Sequence, residues 1–196
     1  MDNVLFSDIF DYNEKLFDKY FRTDLNYDVV ATRFNAGGRK AKLYFIDGFI
    51  NGETSERVMN FMMQAGNMDA EVKTAEEFAE ELIAYMEIEL SADVVKIAKV
   101  VYSGAMLVIV DGFDTGFLVK TRSYPKRDVG EPDNDKVLSG AHDGFVESIL
   151  INTALVRRRI RDRDLVMEVR QAGVRSKTDI AICYLKGRAD EKIVYD

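Results

Sequence analysis

One hairpin pattern occurs twice in this chain, and the repeat restricts the fold more than any other feature of the sequence. Residues 29–34 (VVATRF) match 166–171 (VMEVRQ) at an offset of 137, and residues 41–48 (AKLYFIDG) match 180–187 (IAICYLKG) at an offset of 139. The two additional residues of the second copy fall in the turn between the arms, where insertions are tolerated. Since arms, glycine and a following helix start recur in the same order, the pattern predicts two related subdomains.

Between the two copies, strand patterns alternate with helix patterns. The first hairpin turns at AGG, residues 36–38. Three helical patterns follow, at 53–65, from the capping box Thr74–Glu77, and at 94–101. Two short strands are then predicted, at 106–110 and 116–121. Because helices cross between strands, we expect an α/β (α+β) fold in which each subdomain is a mixed β-sheet packed with helices.

The second copy of the unit is much shorter than the first. The first spans 95 residues, from 28 to 122, whereas only 32 residues remain from 165 onward. We therefore predict an N-terminal amphipathic helix (1–27), a first subdomain (28–122), an extended connector (123–143) and the start of a second, truncated subdomain (144–196). An incomplete sheet exposes an unpaired edge and an apolar face, so we expect further chain or a partner to complete it.

The N-terminal helix is predicted to dock on the subdomain that follows it. Four phenylalanines share one face of its pattern: Phe6, Phe10, Phe17 and Phe21. Their spacings of 4, 7 and 4 residues stack them along a helix. Binding to a partner or to a membrane surface is the alternative, which the acidic polar face disfavours.

The connector leads into a second amphipathic helix, predicted over 144–160. Both prolines of the chain, Pro125 and Pro132, stiffen the connector. The apolar stripe predicted to face the core of this helix consists of Phe145, Ile149, Val156 and Ile160. Asn152 lies on the same face, and we expect its side chain to bind backbone groups of the adjoining extended segment.

Five arginines fall within the seven residues 157–163 (RRRIRDR). We expect at least one of the first three to be buried within the fold, where a carboxylate or backbone carbonyls would satisfy it. The candidates are Arg157, Arg158 and Arg159, with Glu131, Glu147 or Asp179 as partners. Two alternatives stay open, namely a solvated helix end favoured by the helix dipole and a basic surface that attracts anionic lipid or nucleic acid.

No group of residues in the sequence points to a catalytic, cofactor-binding or metal site. His142 is the sole histidine and precedes a helix, where a surface or capping role is usual. Cys183 lies within a predicted strand, where a buried and inert thiol is expected. The Asp-Gly pairs are typical of turns, because their aspartates lie too far apart in sequence for a calcium loop. We therefore predict a protein that is not an enzyme and has no cofactor.

The sequence also contains no membrane span. Its longest strictly apolar run, residues 105–110, is far shorter than the ~20 residues that cross a bilayer. The N-terminus has no basic region before an apolar core, so no signal peptide is expected. A single cysteine suits a reducing compartment.

Three blocks in the second half of the chain resemble the N-terminal domain of the spore germination receptor A-subunit (GerA) family. They are SYPKRDVGEP (123–132), GAHDGFVESILINTALVRRRI (140–160) and GVRSKTD (173–179). GRKAKLYFIDGF at 38–49 is similar to the stage V sporulation protein AF branch of that family. The matching positions taken as structural or interface candidates are Tyr124, Pro125, Glu131, Asn152, Arg157, Arg158 and Arg159. The chain departs from the family pattern at Val174 and at 141–142.

This resemblance implies a cytosol-facing region of two similar α/β subdomains that precedes membrane helices in an inner spore membrane protein. The implied role is an assembly or signal-relay module of an oligomeric, ion-conducting germination complex. Other germination-protein subunits, including copies of the same protein, would be the partners. The membrane would be reached through segments absent from this chain, and no nucleic acid would be bound. The alternative is a small-solute sensing domain in which two α/β lobes close on a ligand.

Overall fold

The computed structural model describes residues 6–50, 52–64, 74–83, 87–120 and 144–195. The helices are α1 (Phe10–Phe21), α2 (Gly52–Gln64), α3 (Ala75–Ile83), α4 (Val94–Val101), α5 (Ile149–Arg159) and α6 (Glu191–Tyr195). The strands are β1 (Val29–Ala36), β2 (Arg39–Ile46), β3 (Ile88–Ser91), β4 (Met106–Val110), β5 (Gly116–Val119), β6 (Leu165–Ala172) and β7 (Thr178–Leu185). The α+β class, both hairpins and the capping box are confirmed, since Thr74 and Glu77 exchange backbone-to-side-chain hydrogen bonds of 3.1 and 3.2 Å. The predicted connector, 123–143, lies outside the described residues.

The larger sheet has the strand order β1-β2-β4-β5-β3, and every pairing between neighbouring strands is antiparallel. This differs from the expected mixed sheet for a topological reason. The crossover from β3 through α4 to β4 does connect two parallel strands, but β5 lies between them and is antiparallel to both. Strand β3, which has only four residues and is half-buried over three of them, was not predicted.

The second hairpin forms a sheet of its own, in which β6 pairs with β7. Its register corrects the sequence alignment by one residue. Val29 pairs with Ile46, and Leu165 pairs with Leu185, so Leu165 rather than Val166 has the position of Val29. The insertion in the turn is therefore three residues, the difference between the two-residue turn 37–38 and the five-residue turn 173–177. Only the shorter turn needs two adjacent glycines, whose φ angles are 56° and 86°.

A helix belongs to each copy of the repeat. The side chain of Asn13 in α1 pairs with both backbone groups of Ser7, six residues upstream. Asn152 in α5 does the same with Val146, at 2.6 Å for both hydrogen bonds and also six residues upstream. A constant offset of 139 residues relates the two asparagines and the apolar stripes of the two helices. Helix α5 is thus the counterpart of α1.

The first hydrophobic core lies between the larger sheet and its helices. Phe17 and Phe21 of α1 are fully buried and stack on each other at 5.8 Å between ring centroids. Polar contacts fix the same helix to β1 and β2: the Glu14 carboxylate binds Arg33 and Lys42, and Asp18 binds Lys42 at 2.7 Å. The predicted docking of the N-terminal helix on the first subdomain is confirmed.

Candidate functional site at the junction of the two sheets

Helix α5 packs against the turn that follows β2. Its buried residues are Thr153, Ala154 and Arg157, which share one face of the helix. The close approach depends on Gly48, where an added Cβ would lie 2.9 Å from the Cβ of Ala154. Gly48 also has a φ of +82°, which favours glycine. Helix α5 therefore rests directly on the turn that follows β2.

Arg157 is the centre of the junction. Its side chain has no exposed surface, and its guanidinium binds the Asp28 carboxylate through two parallel hydrogen bonds, from Nε at 2.8 Å and from Nη2 at 3.0 Å. Nη2 also donates to Asn26 Oδ1 at 3.2 Å, and Nη1 donates to the Leu165 carbonyl at 3.0 Å. A buried ion pair is tolerated when its geometry is good and its remaining donors are satisfied, which is the case here. One side chain thus connects the residue before β1 with the first residue of β6.

The loop between α1 and β1 adds a second set of contacts to β6. Asn26 Oδ1 accepts a hydrogen bond from the Met167 N–H at 2.8 Å, and the Tyr27 N–H donates to the Met167 carbonyl at 3.0 Å. The Tyr27 hydroxyl is hydrogen-bonded to Thr153 of α5. Burial raises the pKa of Tyr27, so the hydroxyl remains neutral in this position. Together with the hydrogen bond from Arg157 to Leu165, these bonds hold β6 against the loop between α1 and β1.

An outer layer of arginines surrounds the buried pair. Arg22 donates to the Arg163 carbonyl at 3.2 Å and forms an ion pair with Asp164. The guanidinium of Arg163 lies 4.9 Å from the ring centroid of Tyr20. Arg161 donates to the Ser103 hydroxyl at 3.1 Å. Because these groups are exposed or half-exposed, each contributes less than the buried pair does.

The sequence-predicted site residues are distributed as follows. Arg157 is buried, whereas Arg158 and Arg159 are exposed. The partner of Arg157 is Asp28 rather than any of the predicted carboxylates, because Glu147 and Asp179 are exposed and away from the junction. Tyr124, Pro125 and Glu131 lie outside the described residues.

Two predictions about the second copy are wrong. The stripe predicted to face a core is covered only in part: Ile149 and Val156 of α5 are half-buried, whereas Phe145, which precedes the helix, is 73% exposed and Ile160, its C-cap, is 40% exposed. Asn152 is half-buried, and its side chain binds the backbone of Val146. Cys183 is exposed rather than buried. The cause is the same in both cases. The counterparts in the first copy, Phe6, Phe21 and (for Cys183) Tyr44, are covered by the larger sheet and its helices. Within the described residues, the second copy has no elements equivalent to these.

Sequence reasoning missed Asn26, Tyr27, Asp28 and Arg22. The sequence does contain a local signal for the first three. They form a polar triplet between a helix and a strand, and the residues on either side of the triplet are apolar. That signal marks buried polar groups in need of partners. It does not identify the partner, which lies 129 residues away in the case of Asp28.

The chemistry of the junction is that of binding. Among the described residues no three His, Cys, Asp or Glu side chains are grouped to hold a metal ion. Within the same residues, none of the helices combines the length and apolarity needed to span a membrane. The junction orders backbone and side chains of two sheets, and it offers no activated nucleophile or proton donor in the contacts described above.

Residues 15–196 match the family model of the Bacillus/Clostridium GerA spore germination protein. The chain is 34% identical over 182 residues to stage V sporulation protein AF of Bacillus subtilis (strain 168), which covers 93% of the chain and 37% of that protein. It is 27% identical over 161 residues to spore germination protein B1 of the same organism, covering 82% of the chain and 33% of that protein. The chain therefore spans about a third of the length of these curated relatives.

A solved structure shares the fold. The N-terminal domain of the A subunit of the Bacillus megaterium spore germinant receptor GerK3 aligns with a TM-score of 0.76 and 22% sequence identity. The alignment covers 100% of this chain and 71% of that one. At this level of identity the similarity establishes the fold.

Proposed function

Because the chain belongs to the GerA family of spore germination proteins, we propose that it is the cytosol-facing N-terminal part of an inner spore membrane protein. In this proposal it acts as an assembly or signal-relay module of an oligomeric, ion-conducting germination complex. Its partners are other germination-protein subunits, including copies of the same protein. It has no enzymatic role, in keeping with relatives whose names describe sporulation and germination proteins.

The observation that carries this proposal is the buried pair between Arg157 and Asp28. A relay module must transmit a displacement from one element to another, and this needs groups with fixed mutual positions. Arg157 touches the residue before β1, the first residue of β6 and the loop after α1 at the same time. A displacement of α5 would therefore also move the ends of β1 and β6, one in each sheet.

We further propose that residues 144–196 are the first part of a second subdomain, which further chain of the full-length protein completes. The support is the exposure of Phe145 and Ile160 on either side of α5, because their counterparts beside and in α1, Phe6 and Phe21, are buried in the first core. Apolar faces of this kind are covered in stable proteins. A longer chain that extends beyond residue 196 should then unfold at a higher temperature and should protect Phe145 and Ile160 from solvent. An extension that leaves these residues exposed would refute this part of the proposal.

The relay role is tested in spores that carry variants of the full-length protein. Arg157→Met should slow germination and weaken co-purification of the complex, and Arg158→Met is the matched control because that arginine is exposed. Protein levels in the spore membrane must be measured in parallel, since a loss of protein alone would mimic a loss of relay. Normal germination and assembly with Arg157→Met at normal protein level would contradict the proposed role.

A further inference from the structure

A cleft opens between α4 and the segment that connects α5 with β6. It has a volume of about 470 Å³ and is lined by residues of α1, α4 and the segment 161–163. This volume is within the range of sites for small molecules. The cleft lies on the outer side of the junction. There Arg161 of the connecting segment donates a hydrogen bond to Ser103, which follows α4 in the chain.

The charges around the cleft are mostly positive. Three cations line it, Lys99, Arg161 and Arg163, together with one carboxylate, Asp162. Lys99 is exposed, and no ion pair between described residues includes it. Arg161 donates only to neutral oxygens there, the Ser103 hydroxyl at 3.1 Å and the Arg158 carbonyl at 3.2 Å. The chain as a whole has a net charge of −7, so the positive charge of the cleft is opposite in sign to the net charge of the chain.

A buried tyrosine forms part of the wall of the cleft. Tyr102 is only 2% exposed and is one of the residues that line the cleft, and its hydroxyl has no hydrogen-bond partner in the part of the chain that the structure describes. Burial raises the pKa of Tyr102 to about 12, which keeps the hydroxyl a neutral donor at physiological pH. Buried polar groups are almost always paired, so this hydroxyl is an unused donor in the wall of the cleft.

We propose that this cleft binds a small soluble anion, a carboxylate or phosphate compound, through Lys99, Arg161 and Arg163. Guanidinium groups bind both kinds of anion through paired N–H donors, and the ammonium of Lys99 adds a point charge. The rings of Tyr20 and Tyr102 give the ligand an apolar wall. The anion would link α4 to the segment that leads into β6, and it would therefore stabilise the junction. Such a site would locate small-solute binding at this cleft, independently of the assembly role.

The test uses the 196-residue chain with two probes, sodium phosphate and sodium benzoate, at constant ionic strength set by sodium chloride. Benzamide serves as the uncharged control. Calorimetry should detect saturable binding of at least one anion, and the same anion should raise the melting temperature because it binds only the folded chain. Lys99→Gln and Arg161→Gln should each weaken binding by about tenfold or more, the loss of one charge-assisted contact. Lys15→Gln removes the same charge at an exposed position outside the cleft and should leave the affinity unchanged.

Several outcomes would overturn the proposal. They are the absence of saturable binding of either anion, equal binding of benzamide, and an equal loss of affinity in Lys15→Gln. Binding to vesicles that contain phosphatidylglycerol without binding of the free anions would also overturn it, in favour of a lipid surface. Arg163→Gln provides a second variant if Lys99→Gln does not fold, because the Arg163 side chain is 56% exposed. An unchanged affinity in that variant and in Arg161→Gln would remove the segment 161–163 from the site.

Discussion

At the scale of single residues, the buried pair of Arg157 and Asp28 decides how the two sheets are joined. Both side chains are inaccessible to solvent, and all three nitrogens of the guanidinium have acceptors. Removal of one partner leaves the other charge buried and unpaired, which costs far more than the net contribution of the intact pair. The intact pair is therefore needed for a stable junction.

Arg157→Met should lower the free energy of unfolding by about 3–5 kcal/mol, because Asp28 is left without a counter-charge. The double variant Arg157→Met/Asp28→Leu should lose less, since no buried charge remains. Chemical denaturation of both variants and of Arg158→Met measures the difference, and the control should change stability by no more than about 0.5 kcal/mol. A single variant as mild as the control would show that the pair is not buried in solution.

A second prediction concerns acid stability. The pKa of Glu14 is lowered, first by the hydrogen bond from Arg33 and next by Lys42, while burial acts in the opposite direction. A carboxyl with a lowered folded-state pKa stabilises the fold above its unfolded pKa, and the stabilisation is lost as pH falls through the folded pKa. We expect unfolding midpoints that are level near neutrality and decline below pH 4.5, the ordinary value of this group. Glu14→Gln should be less stable at neutral pH and should show a shallower acid decline than Glu76→Gln, a control at an exposed position. Parallel acid profiles for the two variants would count against this assignment.

The junction residues also show how far sequence reasoning reaches. Asn152 and the arginines were identifiable because an amide on an apolar stripe and a run of cations are unusual locally. Asp28 was not identifiable as their partner, because its pairing depends on how the chain returns to it after 129 residues. Periodicity describes the neighbourhood of a residue along the chain, whereas ion pairing describes its neighbourhood in space.

At the scale of elements, α1 and α5 show one helix design in two environments. Both have an asparagine in the first turn that holds the backbone six residues upstream. Their stripes were predicted alike from the sequence, yet Phe10 and Phe17 of α1 are buried whereas Ile149 and Val156 of α5 are only half-buried. An apolar stripe shows which face prefers burial, and the covering elements must come from elsewhere. The expected mixed sheet failed for a related reason, because the insertion of β5 between β3 and β4 leaves no periodic signal.

The turn glycines that follow the two hairpins allow a matched comparison. Gly48 and Gly187 have φ angles of +82° and +81°, but only Gly48 has a helix against it, with Ala154 at 2.9 Å from an added Cβ. Gly187→Ala should cost about 1–2 kcal/mol for the left-handed backbone alone. Gly48→Ala should cost about 1–3 kcal/mol more because it also overpacks the contact with α5. Thermal denaturation of the two variants decides the matter, and equal losses would mean that α5 does not rest on this turn in solution.

At the scale of the whole molecule, the smaller sheet depends on the larger one. A two-stranded sheet is marginal by itself in water, and β6 is held by Arg157, Asn26 and Tyr27. The described chain should therefore behave as one body whose second sheet opens first when the junction is weakened.

Hydrogen exchange followed by mass spectrometry can measure this dependence. In Arg157→Met the amides of 165–185 should exchange much faster than in the unaltered chain, because local opening no longer has to break the buried pair. The amides of 106–119 should be affected far less, since β4 and β5 lie in the centre of the larger sheet. Uniform acceleration in both regions would show that the two sheets unfold only together.

The position of β5 also sets an order of events during synthesis. Among the described residues, strand β3 pairs only with β5, which follows it in the chain by about 25 residues. At roughly 5–20 residues per second, a ribosome needs on the order of one to five seconds to deliver that stretch. Throughout this interval the hairpin of β1 and β2 can form, but residues 88–91 have no strand to pair with. The last strand of the larger sheet to be translated is therefore the one that joins β3 to β4 and completes the sheet.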